Sequence, residues 1–199
     1  MATATKIEQI LPGIFRWEAF SPAHKVELTS HAVLIRRRLY IFDPIPLEHF
    51  SFQQLVSSGV PTAIILTNDN HERDAAQWRE RLRVPIWAAF DANLALGQVY
   101  RFGPGMTEWL DWKLGRVTGG SNGEIAFFWR RESLLILGDA VTNLPGYDLM
   151  LLSEKYCDHQ PTLHHSLNQL LATPFEKLLL AHGRPILDRA SAKIERLLA

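Results

Sequence analysis

Ile64-Ile65-Leu66-Thr67-Asn68-Asp69-Asn70-His71-Glu72-Arg73-Asp74-Ala75 is the stretch on which the fold turns. The apolar run Ala63 to Leu66 suits a short buried strand. From Asp74 to Leu82, Ala75, Trp78 and Leu82 share one face at helical spacing. A buried strand that runs into a polar turn and then a helix is the unit at which α/β proteins place their chemistry. Three other stretches end in the same way: Ile41-Phe42-Asp43-Pro44, Leu135-Ile136-Leu137-Gly138-Asp139-Ala140, and Leu178-Leu179-Leu180-Ala181-His182-Gly183-Arg184-Pro185-Ile186.

Around these stretches the texture alternates. Ile14–Phe20, Lys25–Leu28, His31–Ile35 and Leu39–Phe42 read as an antiparallel meander, with Arg36-Arg37-Arg38 as a solvated hairpin tip. Phe52, Leu55 and Val56 follow helical spacing up to Gly59; Val84–Ala88 reads as a strand and Ala92–Leu96 as a short helix. A second β-rich stretch, Gly115–Thr118, Glu124–Arg130 and Ser133–Leu137, follows Gly103-Pro104-Gly105. Pro161–Leu171 then reads as a helix, Lys177–Ala181 as a strand, and Leu187–Leu198 as a closing helix striped by Leu187, Ala190, Ile194 and Leu197. A β-run with an α/β unit, given twice, calls for two sheets packed face to face with helices outside. The expected fold is therefore α+β, an αβ/βα four-layer sandwich, formed by residues 1–199 as a single domain.

The order and spacing of these landmarks resemble the metallo-β-lactamase superfamily, from about Ile14 to Leu198. In that family a strand followed by Thr-His-x-His-x-Asp-His supplies most of a two-metal site. A later Gly-Asp supplies a bridging carboxylate and a final His-Gly the last imidazole. Aligning on Thr67 puts Asn68 and Asn70 at the first two histidine positions, Glu72 at the aspartate and Arg73 at the third histidine. Thr118-Gly119-Gly120-Ser121-Asn122-Gly123 matches the shape of the family's middle element, with Gly120 where its histidine stands. Asp139 and His182 match the bridging aspartate and the final histidine, and Asp43 the aspartate beneath the site.

Hydrolytic zinc takes imidazole and carboxylate ligands and keeps a position for water. Asparagine amides are poor zinc ligands, and a guanidinium cannot coordinate a cation. Arg73 also brings a fixed positive charge; two unit charges ~4 Å apart repel by about 4 kcal/mol at an effective dielectric of ~20. The resemblance thus implies the fold together with loss of the usual dinuclear centre, and no cofactor is expected. An ion pair of Arg73 with Asp139, Glu72 or Asp74 would replace the metal's charge. A looser alignment with one inserted residue offers His71 and Asp74, which with Asp139 and His182 would make one mixed site for a single zinc or other divalent metal. Against it, Asp74 also reads as a helix cap and His71 as a polar loop residue.

Composition limits the remaining options. Lys plus Arg and Asp plus Glu both number 21, so no net field draws the chain to nucleic acid or an anionic membrane. A single cysteine, Cys157, excludes an intramolecular disulfide and cysteine-based zinc clusters; it reads as a small semi-buried hydrophobe. Nothing from Met1 to Glu8 resembles a signal core, and no apolar run approaches the roughly 20 residues of a spanning helix, so a cytoplasmic location is expected. His31, at a strand start, reads equally as a residue lining the cleft or one pairing in the sheet, His164 and His165 as solvated side chains, and the six tryptophans as core. Three functions stay open. One is a degenerate family member that binds a small molecule or protein partner. Another is a hydrolase of esters, thioesters or lactones with a rearranged mononuclear site. The third is a metal-independent enzyme or a structural subunit.

Overall fold

Residues 2–199 are described in the computed structural model. They divide into two compact units: the first runs to Leu66 and takes in Asn70–Ala88 and Leu94–Arg101, and the second comprises Thr67–Asp69, Ala89–Asn93 and Phe102–Ala199.

The first sheet has seven strands: β1 (Glu8–Leu11), β2 (Ile14–Ser21), β3 (Val26–Ile35), β4 (Arg38–Phe42), β5 (Val60–Ile65), β6 (Ile86–Ala89) and β7 (Val99–Phe102), hydrogen-bonded in chain order. β1 to β4 are antiparallel neighbours, whereas β4, β5 and β6 run parallel. Parallel neighbours need crossovers, and the crossovers are α1 (His49–Ser57) and α2 (Ala75–Leu82). The expected meander is present with two differences: β1 is an added strand at its start, and the separate strands expected at Lys25–Leu28 and His31–Ile35 are one continuous strand, β3, because residues 26–33 pair with β2 without a break. Its β3–β4 hairpin turns on Arg36 and Arg37, both at positive φ (48° and 69°), between the paired residues Ile35 and Arg38. A two-residue turn of that hand matches the twist of the flanking strands, and the three arginines point outward as expected.

Trp78 fixes the packing of α2. It is fully buried, stacks on Trp17 at 5.4 Å and meets Phe52 at 5.0 Å. The indole N–H groups of Trp17 and Trp78 both donate to the carbonyl oxygen of Ile45, at 3.2 and 3.1 Å, so neither polar atom is buried without an acceptor. Leu82, at the end of the same face, is half-buried. At the other end, burial raises the Asp74 carboxyl above its ordinary value, with the charge of Arg81 opposing the shift. The folded chain then holds a proton that the unfolded chain has already released, so stability falls as pH rises from 3.8 through the raised folded value. Asp74→Asn is expected to gain a few tenths of a kcal/mol near neutral pH, the site being partly solvated. The gain should vanish below the ordinary carboxylate range; urea titrations of both proteins at the two acidities check it.

The second sheet has the order β14-β11-β10-β9-β8, from β8 (Glu108–Trp109), β9 (Trp112–Arg116), β10 (Ile125–Trp129), β11 (Leu134–Leu137) and β14 (Lys177–Leu180). β11 and β14 are parallel and the other pairs antiparallel. A separate ribbon is formed by β12 (Val141–Thr142) and β13 (Met150–Leu151). α3 (Gln160–Leu171) and α4 (Ala190–Leu198) press Leu163, Leu167, Ala190 and Ile194 against Ala126, Phe128, Leu135, Leu178 and Leu180. On the opposite face of the sheet, Phe127 lies edge-on to Phe102 and Trp112. Both faces are buried, which is why β10 and β11 read as continuous apolar runs rather than alternating ones.

Two expected helices differ. Residues 92–96 form coil and a bend instead of a helix, with Ala92 N–H on the Ala89 carbonyl and Ala95 N–H on the Glu72 carboxylate. The closing helix starts at Ala190 instead of Leu187, because Arg189 adopts the left-handed conformation at φ 46°. Leu187 therefore lies outside the stripe and is exposed. Among the described residues no helix is long and apolar enough to cross a membrane.

Candidate functional site

Asp139 is the centre of a buried polar cluster in the second unit. β11 ends at Leu137, and the Gly138-Asp139 turn carries the carboxylate out of the apolar strand. A Cβ on Gly138 would lie 2.8 Å from both Thr67 Oγ1 and Asn68 Nδ2, and 3.2 Å from Glu124 Oε1, so only glycine lets these segments approach. Thr67 is held on the same side by its carbonyl, which accepts from Ile125 N–H at 2.9 Å. Thr67, Gly138-Asp139 and His182 thus converge although far apart in sequence, as the spacing of the landmarks requires.

Two donors bond the Asp139 carboxylate and an imidazole lies beside it. Asn68 Nδ2 donates to Oδ2 at 3.0 Å, Ser121 Oγ donates to the same oxygen at 2.9 Å, and His182 Nε2 lies 3.2 Å from Oδ1. Asn68 is fully buried, and Asp139 and Ser121 nearly so. Glu124, also fully buried, accepts from Ala140 N–H at 3.0 Å and so fixes the turn immediately after Asp139. His182 is placed by its own turn. Gly183 sits at φ 91°, and a Cβ there would come within 2.0 Å of the Asn143 carbonyl oxygen. Asn143 N–H donates to the His182 carbonyl, and Arg184 N–H to that of Asn143.

Gly120, where a histidine would stand in the family pattern, is buried against apolar carbon. A Cβ there would meet Leu163 Cδ1 at 3.3 Å and Leu152 Cδ2 at 3.8 Å. That direction leads toward Leu163 and Leu152 of the helix-side core, an apolar surrounding for any side chain placed there.

In the first unit, His71 and Arg73 gather around Asp43. His71 is buried and its Nδ1 lies 3.1 Å from Asp43 Oδ2. Arg73, at φ 39°, donates from Nη1 to the carbonyl oxygens of Thr29 (2.6 Å) and Asp43 (3.0 Å). The guanidinium thus ties β3 to the turn after β4, and Asp43 supports this unit from beneath. Glu72 accepts from Ala95 N–H, Asn70 is exposed, and Asp74 is the residue preceding the first turn of α2, with its N–H on the Pro44 carbonyl.

Of the nine residues singled out from the sequence, Asn68, Asp139 and His182 come together in the second unit. Ser121 and Glu124 complete that cluster and escaped the sequence reading. The available signal was the position of Ser121 directly after Gly119-Gly120, where a loop turns back toward β10. His31 pairs within the first sheet opposite Phe42 and Arg16, and His164 ties α3 to the carbonyl of Leu198 at 2.6 Å. Cys157 donates to the Leu152 carbonyl; burial, with the charges of Glu124, Asp158 and Glu154, pushes its thiol above the ordinary value. A thiol held protonated is no nucleophile at neutral pH.

No family model matches the chain, and neither does any curated protein. Solved structures do. The DIM-1 metallo-β-lactamase superposes with a TM-score of 0.77 at 15% identity, over 99% of this chain and 97% of its own. The BLEG-1 B3 metallo-β-lactamase gives 0.68 at 14% identity, over 85% and 92%. A metallo-β-lactamase family protein from Thermus thermophilus gives 0.67 at 14% identity, over 94% and 79%. The fold of this chain is that of the metallo-β-lactamases. At such identities the likeness extends to the fold and no further.

Proposed function

We propose that this chain is a metallo-β-lactamase-fold protein that has given up the two-metal centre and uses the surroundings of Asp139 to bind a small molecule or a protein partner. The observation that carries the reading is the set of donors on Asp139. Where the resemblance calls for a carboxylate bridging two cations, an amide, a hydroxyl and an imidazole converge on it. Hydrogen bonds to a charged acceptor are the strong class, and two of them, with the His182 ring beside the other oxygen, answer much of the need for a counter-charge. The residues do not fit a dinuclear centre: Asn68 spends its amide N–H on Asp139, Arg73 binds carbonyl oxygens, and Gly120 faces Leu163. Too few ligands remain to offset the dehydration of two dications.

A second reading rests on donor types. Asp139 and His182 offer a carboxylate and an imidazole to a single divalent ion, and in the first unit the Asp43 carboxylate beside His71 Nδ1 is the partner that commonly orients a ligating ring. A metal held there would supply Lewis-acid chemistry toward an ester, thioester or lactone carbonyl. Asp74 has no part in that set.

Elemental analysis separates the two. After expression with zinc, iron and manganese supplied, the purified chain is expected to carry no stoichiometric tightly bound metal. His182→Ala should leave both metal content and any basal esterase reading unchanged. Two equivalents of zinc per chain would overturn the proposal. One equivalent, lost together with esterase activity in His182→Ala, would establish the mononuclear hydrolase instead.

A further inference from the structure

β9 carries Lys113 and Gly115, and the residue just after it, Val117, toward the side of the second sheet that α3 and α4 cover. Val117 enters the core there, but Lys113 puts an ammonium on a face otherwise built from Ala126, Phe128 and Leu135. Beside it lies a pocket of about 240 Å³, with Gly115, Phe128 and Leu135 among the residues of its floor and Leu170 and Thr173 among those of its wall. No side chain can close it from Gly115, where a Cβ would lie 2.6 Å from Leu170 Cδ2. Lys113 Nζ reaches across the pocket to Thr173 Oγ1 at 3.1 Å. Two neighbouring cations of this unit meet acids: Arg116 lies 2.6 Å from Asp91, and Lys177 3.4 Å from Glu132. Lys113 has a neutral hydroxyl as its partner, and an ammonium can donate three hydrogen bonds.

We propose that this pocket binds a small monocarboxylic acid. Its apolar body would lie against Phe128, Leu135 and Leu170, and its carboxylate would accept from Lys113 Nζ and from the Thr173 hydroxyl. Size sets the class of body: an apolar cavity of about 150 Å³ takes benzene, so this one suits roughly 6–10 non-hydrogen atoms. Charge sets the head group. Lys113 and Arg116 both line the pocket, but Arg116 is paired with Asp91, and the carbonyl end of α3 offsets part of the positive field that remains. A single negative charge is matched there, whereas a phosphate dianion is not.

The test is a titration of the isotope-labelled full chain with hexanoate, following the amide resonances of Gly115 and Thr173. Saturable shifts at both positions are expected, with hexan-1-ol and hexylammonium at least about tenfold weaker, a difference that charge-assisted hydrogen bonds from Lys113 and Thr173 supply. Lys113→Met, checked for an unchanged spectrum elsewhere, should weaken hexanoate at least tenfold while leaving hexan-1-ol unaffected. Thr173→Val, which keeps the cation, should weaken it several-fold and decides the matter if Lys113→Met does not fold. Three results would each overturn the proposal: no saturable shift up to about 20 mM hexanoate, equal affinity for hexanoate and hexan-1-ol, or inorganic phosphate binding as tightly as hexanoate at the same two amides.

Discussion

Trp78→Ala is expected to lower stability by about 3–5 kcal/mol, the range for removing a large aromatic side chain from a packed core. The site gives every reason for the upper half of that range. Trp78 is fully buried, its ring stacks on Trp17 and tilts onto Phe52, and its N–H bonds to Ile45. The space it leaves is bounded by strands β2 and β5 and helix α1, which hydrogen bonding holds in place, so collapse into the void is limited. The Ile45 carbonyl would still accept from Trp17, so the loss is one of packing and burial rather than of an orphaned acceptor. Trp78→Phe separates those contributions: it keeps most of the apolar body, forfeits the hydrogen bond, and should cost only about 1–2 kcal/mol. Denaturant titration at constant slope measures both. A cost below about 1 kcal/mol for the alanine variant would mean that α2 is not held by this face.

How far such packing could be read in advance depended on whether a residue's role leaves a periodic or steric trace. Trp78 was legible because Ala75, Trp78 and Leu82 repeat at helical spacing. Gly138 and Gly183 were legible because each ends an apolar run at a point where the chain must turn. Leu187 misled for a related reason: its apolar spacing continues the α4 stripe upstream, while the left-handed backbone of Arg189, which breaks the helix, leaves no mark in hydrophobicity. The cluster on Asp139 was half legible. Asp139, His182 and Asn68 stand at recognisable positions, but Ser121 and Glu124 look like ordinary polar residues of a glycine-rich turn, and only the folded chain directs them at the Gly138–Ala140 segment. Arg73 shows the limit most clearly. Its Nη1 bonds to the main-chain oxygens of Thr29 and Asp43 went unforeseen, because a carbonyl acceptor has no sequence signature at all.

The same distinction between charge and hydrogen bonding governs what should happen when Asp139 is removed. Asp139→Ala is expected to cost about 3–5 kcal/mol, because it leaves donors from Asn68, Ser121 and His182 facing a void in a site nearly closed to water. Asp139→Asn should cost far less, about 1–2 kcal/mol. Its carbonyl oxygen can keep the bonds from Asn68 and Ser121, and its amide can donate to His182 Nε2 when that ring carries its proton on Nδ1. A carboxylate whose task is to hold cations behaves in the opposite sense. Its removal relieves repulsion or leaves the metal-free chain unaffected, and the penalty appears only when metal is supplied. The decisive comparison is therefore the unfolding midpoint of the parent, Asp139→Ala and Asp139→Asn, each measured with a chelator and again with zinc. A large alanine penalty that is equal in both media, with asparagine close to the parent, is the outcome that hydrogen bonding requires. If the alanine penalty were confined to the zinc-containing samples, Asp139 would be a metal ligand, and the binding-protein reading would give way to the mononuclear one.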